Sequence, residues 1–242
     1  MKNIVCILAS VVAFGYAPAT ALAQASCSSD GALRPTAVFE RFISADCEAC
    51  WSDHAVPAPS ATGGAVVLDW IVPGALGDDA PLSAAATRDA LDRLESLGRR
   101  PPTRTDVYTA AVETAASGPR LRVAHGIPFN DYVGASIHFA PQRSSAESHG
   151  AAMGDLHYYL VLVEAVPAGT DGTAVPRNIV RNMLQGTWNK RNALSKKEQS
   201  IQWMEARSMR IPEGVQAERL RMVGWVQDAQ GRTVAAAQST CQ

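Results

Sequence analysis

Apolar residues along this chain come either in short unbroken runs or in spaced patterns, and the two predict different elements. Residues 37–43 form a short apolar stretch that breaks at Ser44-Ala45-Asp46, which predicts a strand. Residues 65–72, AVVLDWIV, are continuous but for Asp69 and lie between Gly63-Gly64 and Pro73-Gly74, the signature of a buried central strand. Between these runs, residues 51–56 have room only for a short helix before Pro57 and Pro59. A spaced pattern follows. Thr87, Ala90, Leu91 and Leu94 fall on one helical face, so a helix is expected over residues 83–97, capped by Ser83 and ended by Gly98. Residues 105–112 read as a further strand. The order strand, helix, strand, helix, strand predicts an α/β layer with a parallel pair.

Beyond Ser117-Gly118-Pro119 the pattern becomes strand-like. Residues 121–124, 135–139 and 156–163 are expected strands, and 220–227 with 232–237 a hairpin across Asp228-Ala229-Gln230-Gly231. Residues 201–211 carry both signals. Ser195-Lys196-Lys197-Glu198 resembles a capping box, whereas Ile201, Trp203, Met209 and Ile211 suit one face of a strand, and a strand is expected over the later half. The second half is therefore mostly β, a small sandwich beside the first.

Composition narrows the setting. The chain has 242 residues, 47% of them apolar, and a formal net charge of −1, which gives no reason to expect nucleic acid or an anionic surface as a partner. Residues 1–23 read as a signal peptide. Lys2 supplies the basic start, residues 4–16 an apolar run too short to span a bilayer, and Ala21-Leu22-Ala23 a cleavage site, so the mature chain is expected to begin near Gln24 in the periplasm or outside the cell. No other stretch is apolar enough to cross a membrane. Export implies an oxidising compartment, in which cysteines pair.

Cys6 leaves with the signal, and Cys27, Cys47, Cys50 and Cys241 remain. Proximity favours Cys47 with Cys50, which leaves Cys27 and Cys241 either to bridge the ends of the mature chain or to stand as separate tail thiols. Cys47 and Cys50 are i and i+3 after the break at Ser44-Ala45-Asp46. With a helix opening at Cys47, both sulfurs meet in its first turn, where unpaired N–H groups and the helix dipole favour thiolate. A thioredoxin-like redox centre has this arrangement. Three chemistries fit the pair: thiol–disulfide exchange, with Cys47 attacking and Cys50 resolving; a structural disulfide; or a metal site that adds His54. The acids Asp46 and Glu48 oppose thiolate at the first sulfur. Trp51 packs either over the disulfide or as plain core. His125, His138, His149 and His157 are scattered and show no paired ligand spacing. Asp69 is the acid out of place in an apolar strand, either a proton shuttle behind the cysteines or a group that caps or pairs at a strand end. No nucleotide or cofactor motif occurs, so no cofactor and no metal are expected.

Several stretches, taken in order, resemble the bacterial domain-of-unknown-function family 1223, exported proteins with a thioredoxin-like first half and a β-rich second half. They are residues 39–50, Val67-Leu68-Asp69-Trp70, the Gly77-Asp78 loop with the following helix, Val107-Tyr108-Thr109, Pro176-Arg177-Asn178-Ile179-Val180-Arg181, and Val223-Gly224-Trp225-Val226-Gln227. The resemblance implies export and an α/β plus β fold: a thioredoxin-like layer over residues 32–117, then a β-sandwich-like domain over 118–242. The layer is expected to be trimmed, because residues 113–117 lead almost directly into the β-rich half where the family pattern has a final strand and helix. Thioredoxin-like proteins carry a cis-proline facing the CxxC, which this family has just after its Val-Tyr-Thr stretch; by that resemblance Ala110 stands in the slot that faces the cysteines. Arg177, Asn178 and Arg181 match a family motif and read as turn-forming or surface-pairing groups. The resemblance supplies no established reaction; the spacing and position of Cys47 and Cys50 themselves point to thiol–disulfide exchange on an unidentified envelope or secreted protein. The alternative is a non-enzymatic binding or scaffold protein with a structural CxxC disulfide.

Overall fold

The computed structural model describes residues 26–53, 64–113, 118–141, 155–194 and 201–241. The expected signal peptide, His54, His149 and the Ser195–Glu198 box lie outside them. Strands dominate, and α-helices are few. In chain order the elements are β1 (Cys27–Ser28), β2 (Ala37–Ser44), α1 (Glu48–Ser52), β3 (Ala65–Val72), α2 (Arg88–Ser96), β4 (Thr105–Ala111), β5 (Arg120–His125), β6 (Tyr132–Ala140), β7 (Leu156–Val166), β8 (Arg177–Trp188), β9 (Trp203–Arg210), β10 (Leu220–Gln227), β11 (Thr233–Gln238) and β12 (Thr240–Cys241).

Two sheets form. One has seven strands in the order β11-β10-β7-β8-β3-β2-β4; the other has five, β12-β1-β5-β6-β9. β2 and β3 pair in parallel over eight residues, and β4 runs antiparallel along the outer side of β2. The larger sheet is mixed and takes strands from both halves of the chain, joined where Asp69 of β3 pairs with Ile179 of β8. The anticipated hairpin is present as β10 and β11.

β7 shows how one strand serves two layers, because successive side chains point to opposite faces. Leu156, Tyr158, Leu160 and Leu162 face the five-stranded sheet, packing with Val123, Ile137, Phe139 and Trp203. Tyr159, Val161 and Val163 face the other way, into a core shared with Phe42, Leu68, Trp70, Ala90 and Leu94 under α2. The sheets approach closely at Gly224, where a Cβ would lie 2.7 Å from Val123 Cγ1. Any side chain there would push them apart.

Two elements differ from expectation. The helix expected over 83–97 is α2, starting at Arg88. Thr87 is extended (φ −127°, ψ 147°) and its hydroxyl accepts from Ala90 N at 3.3 Å, so Thr87 is the cap, and Ser83–Ala85 makes a separate 3-10 turn. β8 is a twelve-residue strand where only a turn-like motif was read. Its middle carries Asn182 and Gly186 on half-covered positions and Gln185 on an exposed one, which dilutes any strand signal.

Candidate functional site

β2 ends at Ser44, and the chain turns through Ala45 and Asp46 into α1, with Cys47 at its start. Asp46 shapes this turn. Its carboxylate accepts from Ala75 N at 2.7 Å and Leu76 N at 3.2 Å, tying the turn to the loop after β3, and it fills the space a Cβ on Gly74 would need. The acid expected to act on the thiol is thus engaged by main-chain amides.

Cys47 and Cys50 are joined by a disulfide. Cys47 is 9% and Cys50 7% exposed, in a small core with Ile43, Trp51, Ile71, Val166 and Ile179. α1 has only five residues, so its dipole is short. The fully buried Arg177 of β8 closes its carboxy end. Arg177 Nη2 donates to the carbonyl oxygens of Trp51 (2.7 Å), Asp53 (2.7 Å) and Cys50 (3.3 Å). These are carbonyls that a helix end leaves without partners. Its guanidinium also lies over the Trp51 ring at 5.4 Å, and the Trp51 indole N–H donates to Asp171 O at 2.6 Å. Trp51 is therefore core that links α1 to the loop before β8.

Behind Arg177 lies a buried charge cluster. Asp69 Oδ1 accepts from Arg41 Nε at 2.7 Å and lies 3.7 Å from Arg177 Nη1; Oδ2 accepts from Asn178 N at 2.7 Å. Asp69 is thus a mid-strand anchor for two arginines and the neighbouring strand. Burial, and then the charge of Arg41, push the Arg177 guanidinium below its ordinary value, and Arg177 Nη1 makes no hydrogen bond. The sequence reading of Arg177 and Asn178 as turn or surface groups is corrected here. Arg177 reaches inward because its position on β8 faces the same side of the sheet as α1. Arg181 pairs with Glu164, its Nη2 2.6 Å from Oε2.

Ala110 does not face the sulfurs. In the β2–β4 register it pairs with Val38, at the far end of β2, whereas Thr105 pairs with Ile43. The residue beside the turn into Cys47 is Arg104, whose carbonyl accepts from Ser44 N at 2.8 Å. No peptide bond is cis among the described residues.

The second disulfide joins Cys27 and Cys241, which face each other across β1 and β12. It closes a sequence separation of 214 residues. On the chain-entropy account such a bond stabilises by about 5 kcal/mol. The buried His125 ring sits beside it, with His125 Nδ1 2.9 Å from Gly126 O. Burial chiefly lowers the His125 pKa. His138 and His157 lie on different sheets and so do not line one sheet face together.

No helix among the described residues is long and apolar enough to cross a membrane. Comparison of the chain with protein-family models, curated proteins and solved structures finds no match.

Proposed function

We propose that this protein is an exported binding or scaffold protein in which β2, α1, β3, α2 and β4 form a trimmed thioredoxin-like layer and Cys47–Cys50 is a structural disulfide. The observation that carries this reading is the enclosure of both sulfurs, 9% and 7% exposed, beneath a short helix whose last carbonyls are held by a buried arginine. An exchange centre must present its attacking sulfur to a partner's disulfide. Here the sulfur lies in a core, the helix that would stabilise a thiolate is short, and no proline stands at Arg104 or Thr105 beside the turn. Export rests on the N-terminal segment, and two disulfides suit an oxidising compartment. Kinship with family 1223 rests on the ordered stretches quoted above.

A second reading is favoured by one observation. The strand order β3-β2-β4, with the CxxC following β2, supports a thioredoxin-like exchange centre, whose CxxC follows a strand in the same way. In that reading the Cys47 thiolate attacks a partner disulfide and releases one partner thiolate; Cys50 then attacks Cys47 and releases the second.

Trapping separates the two. Cys50→Ala and Cys47→Ala are expressed in host cells, and mixed disulfides are sought across the neutral pH range. The structural reading expects neither variant to capture a partner and both to lose stability. Capture by Cys50→Ala alone would establish exchange instead.

A further inference from the structure

A cavity of about 530 Å³ opens where the segment between β1 and β2 passes over β5, the approach to β9 and the end of β11. Its lining is strongly cationic. Arg34, Arg120 and Arg122 contribute three guanidiniums, and Asp30 is the single carboxylate among the lining residues. Asp30 is already committed. Arg122 Nε lies 2.9 Å from both its oxygens and Nη2 2.7 Å from Oδ2, and the hydrogen bond from Arg122 holds the Asp30 pKa below its ordinary value. Arg34 and Arg120 form no ion pair with any described residue.

The strand register explains why these groups converge. Arg120 and Arg122 are two residues apart on β5 and share a face, while Leu121 between them packs against the inter-sheet core. Arg122 pairs directly with His138 of β6, and His138 Nε2 lies 3.0 Å from Gln202 Oε1. A carboxamide oxygen only accepts, so His138 donates this bond, which leaves the Gln202 amide nitrogen as a further donor. Beside these polar groups stands Leu33, 94% exposed, with the end of β11 as the opposite wall.

We propose that this cavity binds a small organic dianion, a phosphate monoester or a dicarboxylate with a short apolar body. Two guanidiniums without carboxylate partners among the described residues match two negative charges, and their planar forks suit carboxylate and phosphate oxygens alike. Leu33 would cover the apolar part. The site is separate from the cysteine pair, so it stands whichever way Cys47–Cys50 behaves.

Calorimetric titration of the full chain with phenyl phosphate and with succinate tests this, with benzyl alcohol as the neutral control. One dianion should bind, more weakly as salt rises, and the Arg34→Gln/Arg120→Gln double variant should lose about tenfold or more in affinity. Binding of phenyl phosphate alone assigns the phosphate class, and binding of succinate alone the dicarboxylate class. Both arginines are on exposed positions, so a folded double variant is expected, and its circular dichroism checks this. If neither dianion binds at ten-millimolar concentrations, if the double variant binds as well as the parent, or if benzyl alcohol binds equally, the proposal is overturned.

Discussion

Glu40 and Arg41 are neighbours on β2, both fully buried, and they point to opposite faces of the same sheet. On the α2 face, Glu40 is closed in a pair. Arg93 of α2 meets it with Nη2 at 2.6 Å and Nε at 2.9 Å, and Trp70 donates its indole N–H at 3.1 Å. The Arg93 guanidinium also lies 4.6 Å over Tyr159 and 5.1 Å over Trp225. Burial opposes its charge, but Glu40 outweighs that and holds its pKa above the ordinary value. On the α1 face, two arginines share Asp69, and one of them spends its donors on helix carbonyls. One face uses buried charge to lock a helix by its side chain, the other to lock a helix by its main chain. The first arrangement fixes how α2 sits on strands from both halves. The second fixes the short segment that bears the disulfide.

The comparison breaks most visibly at Glu40. Glu40→Ala leaves Arg93 buried without its carboxylate, and a loss of about 3–5 kcal/mol is expected in urea unfolding. A loss under about 1 kcal/mol would mean that Arg93 finds water or another partner. Arg177→Met should cost less, about 1–3 kcal/mol, because Asp69 keeps Arg41, while the hydrogen bonds lost are those to α1 and the long one to the Thr173 hydroxyl. Its signature is local. Amide exchange should quicken over Ala49–Asp53 and reduction of Cys47–Cys50 by dithiothreitol should speed up, with β10 and β11 unchanged. Uniform loosening of the chain would show that Arg177 supports the whole sheet rather than one helix.

Much of the framework was legible from pattern. β3 announced itself as a continuous apolar run, β7 and the β10–β11 hairpin as strands bounded by turn residues, and Cys47–Cys50 by spacing. The supporting charges were not legible, because their partners lie far off along the chain. Arg41 and Asp69 are 28 residues apart, Glu40 and Arg93 are 53 apart, and Arg177 reaches Trp51 across 126. A signal was present nonetheless: Glu40, Arg41 and Asp69 interrupt apolar strands, and a charge in such a run needs a buried partner. Ala110 misled for a different reason. The local motif placed it by similarity, but pairing register decides which end of a strand lies beside the turn into Cys47, and that is Thr105 at the start of β4 with Arg104 just before it.

The central claim is that Cys47–Cys50 holds the structure rather than exchanging with partners. The direct measurement is the reduction potential of this bond in the purified full chain, read by alkylating the thiols at equilibrium in defined redox buffers and quantifying the peptide that carries both cysteines. A potential below about −300 mV is predicted, the range of structural disulfides. A value between roughly −270 and −120 mV, where exchange centres lie, would contradict the account.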